Sequence, residues 1–246
     1  MRTAMSATTQ PEIAQRVSQM DWSHIDDSLC ARGYAVTPEL LLPRDCQELV
    51  ALYGDDKCFR SHVVMQRFRF GVGDYKYFGQ PLPEIVSTLR TSAYPYLACI
   101  ANTWAAALGD ASNPYPPDHT AFLRTCHTAG QLRPTPLLLH YEAGGYNCLH
   151  QDIYGEVTFP LQMVVLLGQA GRDWQGGEFL LVEQQPRAQS KAEVVHAEQG
   201  QAIIFTTRYR PVKGSRGYYR VNLRHGVSRV HSGTRYTLGI IFHDAK

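Results

Sequence analysis

The chain has 246 residues, 44% of them hydrophobic and 19% charged, with a formal net charge of +2. Such a composition excludes a disordered chain, and with no apolar run approaching 18 residues it gives no sign of a membrane span, so a soluble globular protein is expected. The charge is too small to argue for nucleic acid by itself, and the length suits one domain, residues 1–246, of the barrel-plus-helices kind.

Residues 1 to about 10 are polar, rich in Ser, Thr and Ala, and expected to fray. The N-terminus lacks the apolar segment of a secretory signal, which points to the cytoplasm. Six cysteines (Cys30, Cys46, Cys58, Cys99, Cys126 and Cys148) include no C-x-x-C pair. That agrees with a reducing compartment and argues against a disulfide framework or a zinc site. Pro11 suits a first helical turn, and Ile13, Val17 and Met20 recur at helical spacing. A second helix is predicted from near Asp26 to Gly33, then a short strand at Tyr34–Val36, then a helix opened by Pro43 and closed by Gly54.

From Phe59 the run HVVMQRFRFG alternates as a strand, with Arg67 and Arg69 on one face and Phe68 and Phe70 on the other. The following GVGDYKYFGQPLP reads as a loop that would expose Asp74, Tyr75, Lys76 and Tyr77 unless they meet a substrate. Pro83 begins a long helix with Ile85, Leu89, Tyr96, Ile100, Trp104 and Leu108 on its apolar stripe and a kink or break at Pro95, and a short helix spans Ala121–Thr128. From Pro136 the period becomes that of strands, eight in all: Leu137–Glu142, Tyr146–Asp152, Leu161–Leu167, Glu178–Glu183, Glu193–Ala197, Ala202–Phe205, Tyr219–His225 and Tyr236–Phe242. Eight strands in two facing sheets make a mainly β jelly roll of the cupin type, a double-stranded β-helix core over 136–246 under a layer of helices and extra strands over 1–135.

Chemistry concentrates in two stretches, YEAGGYNCLHQD and RHGVSRVHSGTRYT. Side chains two apart on a strand share a face, so His150 and Asp152 form a two-ligand claw, and His225 in a late strand is the best-placed third ligand. Two imidazoles and a carboxylate make the facial triad of non-haem Fe(II) oxygenases. Arg235 follows His225 by ten residues, with Thr237 on the same strand face; a guanidinium fork beside a hydroxyl suits a carboxylate. The other H-x-D, His24-Ile25-Asp26, is read as a decoy, because residues two apart on a helix face differently. Gln162 reads equally as a pocket residue or as buried strand polarity, His231 is a rival third ligand, and Glu178 in GGEF needs only a turn. Eight Arg or Lys residues and no acid lie between Arg208 and Arg235, interleaved with Tyr209, Tyr218 and Tyr219. This run reads either as a solvated face or as a single-strand-binding surface.

These residues resemble the Fe(II)/2-oxoglutarate dioxygenases: H-x-D, a distant His and an Arg about ten residues on. Tyr141 with Gly144 is similar to the strand before the ligands in prolyl-hydroxylase-type and AlkB-type members, and GGEF and SGTRYTL are similar to prolyl-hydroxylase-like segments. The chain from about Phe59 more closely resembles a bacterial family of oxygenases acting on damaged nucleic acid, but it carries Ile241 where AlkB-type enzymes have a second arginine. The resemblance implies Fe(II), 2-oxoglutarate and O2 as cofactors, with ascorbate as a stimulant. It also implies His150, Asp152 and His225 as metal ligands and Tyr141, Arg235 and Thr237 as 2-oxoglutarate contacts. The expected activity is oxidation of alkylated nucleic acid, which removes a methyl group, or hydroxylation of a protein side chain or small amino-acid-like molecule. A cupin-like binding module is the non-enzymatic reading, and the oligomeric state is left open.

Overall fold

The computed structural model describes residues 10–246, so the expected fraying of the first residues lies outside them. In chain order the elements are α1 (Gln10–Ser18), α2 (Trp22–Arg32), β1 (Tyr34–Glu39), α3 (Pro43–Leu52), β2 (Phe59–Val64), β3 (Gly71–Val72), β4 (Asp74–Phe78), α4 (Glu84–Ala107) and α5 (His119–Thr128). Then come β5 (Leu137–Tyr141), β6 (Tyr146–His150), β7 (Leu161–Leu166), β8 (Trp174–Gly176), β9 (Phe179–Gln184), β10 (Lys191–Val195), β11 (Gln201–Thr206), β12 (Tyr209–Gly214), β13 (Gly217–Val227), β14 (Val230–Gly233) and β15 (Arg235–Ile240). All eight expected strands are present. Together with β1–β4 and β12 they form two antiparallel sheets, β1-β11-β7-β15-β5-β4-β2 and β10-β9-β13-β6-β3 with β12 beside β13, while β14 and β8 pair separately.

Strand parity builds the two cores. Leu138, Met163, Val165, Ile204, Leu238 and Ile240 face the helices, joining Ile13, Val17, Leu29, Leu89 and Leu97. Their neighbours Tyr141, Val164, Leu166, Ile203 and Phe205 face the other way and meet Phe179, Leu181, Val221 and Leu223 of the second sheet. This is the double-stranded β-helix with a helical layer on one face. α4 is docked by one buried cation: Arg90 Nε donates to Ile241 O at 2.8 Å and Nη2 to Asp244 Oδ1 at 2.8 Å. An apolar stripe gave no sign of that role. Apolar periodicity also put Ile85, Tyr96 and Leu108 on the buried stripe, where all three are only half-buried, and α4 runs unbroken through Pro95.

Three local expectations need correction. Past Val64 the run predicted as one strand turns into a 3-10 segment over Met65–Phe68, and Arg69 takes φ 60, so the Arg/Phe alternation does not exist. The predicted loop after Gly71 contains β3 and β4, because β4 finds partners on both sides, β2 and β5. β6 stops at His150, two residues early, since beyond that residue it has no further pairing with β13.

Candidate active site

β6 and β13 pair at Asn147 with Val227 and at His150 with His225, three steps on one strand against two on the other. The bulge turns both Asn147 and His150 inward, where strict alternation would have separated them. It is possible because residue 226 is glycine: a Cβ there would stand 2.8 Å from Asn147 O. His225 thus lies directly across from His150, ring centroids 4.2 Å apart, and is wedged against Phe205 at 4.7 Å.

Asp152, just past the end of β6, closes the group. Its Oδ1 is 3.5 Å from His150 Nε2 and its Oδ2 3.3 Å from His225 Nε2. One ligand atom from each of the three residues falls within a mutual 4.8 Å, so the group could hold a metal ion. Orientation is fixed from behind. His150 Nδ1 donates to Cys148 O at 2.8 Å, leaving Nε2 for the centre. Gln151 turns its amide toward the second sheet and donates to Leu223 O of β13 (2.8 Å) and to Arg208 O just before β12 (3.0 Å), tying the segment down. Gln162 Nε2 donates to Asp152 Oδ2 at 2.8 Å, which resolves its ambiguity: it lines the cavity and orients the carboxylate. Burial opposes the Asp152 charge, yet hydrogen bonds from His150 and His225 hold the carboxyl well below its usual range. Burial pushes His225 down, whereas for His150 the hydrogen bond and charge of Asp152 outweigh burial and raise it.

The inner face of β15 carries the second group. Arg235 pairs with Tyr141 and Thr237 with Leu139 across β5, so the guanidinium, hydroxyl and phenol line one cavity of about 580 Å³. Arg235 is 1% exposed, and among the described residues its Nε and Nη1 have no hydrogen-bond partner. The rings of Tyr141 and Trp174 lie 5.7 Å from it, and burial lowers its pKa to about 10. A desolvated guanidinium without an anion is unfavourable, so the donor set fits a carboxylate ligand. Gly176 and Gly177 bring β8 down over this arginine; at Gly177, φ +64, an added Cβ would lie 3.0 Å from Arg235 Cδ. Glu178 stays outside the chemistry and bonds Ser228, holding the turn after β13.

β4 registers with β5 so that Tyr75 and Tyr77 face the cavity, whereas Lys76 turns to the other side and donates to Asp56 and to Tyr53 O at 2.9 Å. Of the basic run only Arg235 lines the cavity. Arg210 is buried against Glu183 at 2.7 Å, and Arg220 reaches Asp110 at 3.2 Å. His231 is exposed and outside the metal-competent group; the decoy Asp26 and His24 sit on α2. Asn147, which reaches Tyr141 OH at 3.4 Å, was not singled out in the sequence, and Arg69 and Phe70 were read as strand residues and not as a cavity rim, since only the bulge and the left-handed turn bring them in.

A family described as oxygenases catalysing oxidative methylation of damaged DNA matches residues 73–245. Two uncharacterised proteins of Mycobacterium tuberculosis, from strains CDC 1551 and H37Rv, are each 48% identical over 168 residues, 68% of this chain and 72% of theirs. The chain belongs to this oxygenase family. As an oxygenase the enzyme is an oxidoreductase, and its barrel has the fold of solved 2-oxoglutarate, Fe(II) oxygenases. Similar solved structures include the α-ketoglutarate-dependent epimerase SnoN from nogalamycin biosynthesis (TM-score 0.56, 15% identity, 89% of this chain and 80% of that one). A 2OG-Fe(II) family oxidoreductase from Burkholderia pseudomallei gives 0.53, 13%, 92% and 93%. A prolyl hydroxylase from Trichoplax adhaerens, in complex with a hypoxia inducible factor peptide, gives 0.51, 12%, 94% and 92%. Among the described residues, no helix is long and apolar enough to cross a membrane.

Proposed function

We propose that this oxygenase holds Fe(II) through His150, Asp152 and His225, anchors 2-oxoglutarate on Arg235 and Thr237 beside Tyr141, and oxidises an N-methyl group of alkylated nucleic acid. The observation that carries the cofactor reading is Arg235, whose buried guanidinium lines the cavity with two nitrogens unpartnered. It supplies a fork for a distal carboxylate, with the Thr237 hydroxyl two residues along the same face. When bound, iron and 2-oxoglutarate supply oxidising power, with O2 consumed and succinate and CO2 released; ascorbate would act only as a reductant that restores Fe(II).

The chain's own residues do the rest. Gln162 keeps Asp152 turned toward the imidazoles, and Cys148 O fixes the His150 tautomer. Tyr75, Tyr77 and Leu139 wall the cavity, the two tyrosine rings standing perpendicular to each other, so that a planar base could stack on one and meet the edge of the other. One oxygen atom enters the methyl C–H bond, and the resulting N–CH2OH group breaks its C–N bond to leave N–H and formaldehyde. The family description supports this substrate class. A hydroxylase of peptide side chains or amino-acid-like molecules is the second reading, favoured by the apolar wall of Leu137, Leu139 and Ile241, which gives a base edge few hydrogen-bond groups. Succinate release against a panel of methylated oligonucleotides, peptides and amino acids decides between them. Turnover stimulated by methylated oligonucleotides with formaldehyde release is expected; stimulation by peptides alone refutes the nucleic-acid reading.

A further inference from the structure

Between β2 and β3 the chain makes a tight excursion at the cavity rim. Met65–Phe68 is a 3-10 turn, Arg69 takes φ 60, and the Cys148 amide donates to Phe70 O at 2.8 Å, so the segment is fastened to β6. An arginine in the left-handed region is unfavourable and is sustained only by its surroundings. Here it accompanies an unusual arrangement: the Phe68 and Phe70 rings stack with centroids 5.5 Å apart and planes at 20°. They do so in solvent, 56% and 47% exposed. Two adjacent apolar rings left wet do nothing for the core, and an exposed apolar patch beside a cavity mouth marks an interaction surface.

The charges around the rings say what kind. Arg67 and Arg69 flank them, both exposed, and neither pairs with an acid among the described residues. Arg69 and Phe70 also line the cavity, so the surface runs without a break into the site. The basic β12–β13 hairpin also exposes Tyr218 (49%) and Tyr219 (37%), but among the described residues no ring pair stacks there, Arg210 and Arg220 already face Glu183 and Asp110, and no side chain from Arg208 to Arg224 lines the cavity. Stacked aromatic faces with unpaired guanidinium groups are the combination that holds single-stranded nucleic acid, rings under the bases and cations along the phosphates. A peptide without acidic residues would use the rings and leave both cations idle.

We infer that the Arg67–Phe70 turn is the docking platform for the single strand that flanks the reacting base, with Phe68 and Phe70 stacking on neighbouring bases and Arg67 and Arg69 meeting phosphates. This rests on the nucleic-acid reading above. It places the strand on the β2–β3 side of the mouth and not on the basic hairpin.

Fluorescence anisotropy of a labelled single-stranded oligodeoxynucleotide carrying one methylated base tests it without any turnover. Phe68→Ala is expected to weaken binding about tenfold, as loss of one base–aromatic stack does, and Phe68→Trp to restore it while Phe68→Leu does not. Arg67→Ala should flatten the log–log salt dependence by about 0.7, one phosphate on a single strand. Arg216→Ala, on the hairpin, should leave both affinity and slope as they were. Full affinity in Phe68→Ala together with weakened binding in Arg216→Ala overturns the platform and leaves the nucleic-acid substrate standing. Equal rescue by Leu and Trp overturns stacking. No binding by the unaltered protein even at low salt removes the platform and the nucleic-acid reading together.

Discussion

Replacing Arg235 with methionine separates what this residue does for the fold from the cofactor-anchoring role proposed for it. Its guanidinium is 1% exposed and carries two nitrogens unpartnered among the described residues, with the Tyr141 and Trp174 rings, each at 5.7 Å, and the charge of Glu178 as partial compensation. Both contacts sit near the outer limit for cation–π attraction, about 0.5 kcal/mol each, while a buried polar group without a partner costs about 1–3 kcal/mol. Arg235→Met keeps most of the side-chain volume and removes the unpaired charge. The ligand-free protein should therefore be as stable as the parent or more stable by about 1–2 kcal/mol. The opposite holds with cofactor: 2-oxoglutarate at one hundred times its Kd stabilises the parent by about 2.7 kcal/mol, and that increment should vanish in the variant. Arg235→Lys keeps a charge but loses the fork, so the KM for 2-oxoglutarate should rise more than kcat falls, by roughly 10- to 100-fold for one charge-assisted hydrogen bond. Thermal melts with and without 2-oxoglutarate and divalent metal read both effects. A ligand-free Arg235→Met protein destabilised by more than about 2 kcal/mol, or one that keeps the 2-oxoglutarate increment, would refute the reasoning.

Gln162→Leu removes the 2.8 Å hydrogen bond to Asp152 Oδ2 and should weaken divalent-metal binding about 10- to 100-fold, measured by titration calorimetry with Mn(II); unchanged affinity would leave Gln162 without a positioning role. Gly177→Ala puts a Cβ 2.9 Å from Val230 and 3.0 Å from Arg235 at φ +64, so it should lose about 1–3 kcal/mol in denaturant melts and raise the KM for 2-oxoglutarate, both absent if β8 can shift away freely. Asp152→Ala should abolish metal binding and 2-oxoglutarate turnover, and turnover that survives would displace the triad. Burial and then the Arg90 charge depress His119 and His243 to about 4, below the usual value near 6.5. The unfolded chain therefore takes up protons before the folded one. Stability is fully present above about pH 6.5 and declines toward pH 4 at about 1.4 kcal/mol per pH unit per group. His119→Phe should reduce that slope by about one proton in urea melts, a quantity blind to the lost 2.9 Å contact with Phe242 O; an unchanged slope would show that His119 is not among the titrating groups.

Period-2 patterning from Leu137 onward was sufficient to mark the eight barrel strands, because each buries one face and a single slip would turn it inside out. The same local rule marked His150, Asp152, Arg235 and Thr237 as face-sharing pairs before any contact was known. Where partners decide, local pattern fell short. Tyr75, Lys76 and Tyr77 look like loop residues until β2 and β5 close on them, and only that register sends the tyrosines inward and the lysine to Asp56. Arg210 reads as one of eight surface cations, yet it is buried on Glu183, twenty-seven residues away in the chain. Gln162 was the lone polar residue in an apolar strand, a signal that could not be resolved until Asp152 was placed at 2.8 Å. The sequence by itself determined strand phase and which residue types could serve as ligands, because alternation and donor chemistry are local properties. The tertiary structure alone decided that a bulge at Gly226 faces His150 with His225, that Arg235 is buried with Nε and Nη1 unbonded among the described residues, and that Phe68 and Phe70 stack in solvent at the mouth, because each depends on which distant segment pairs alongside.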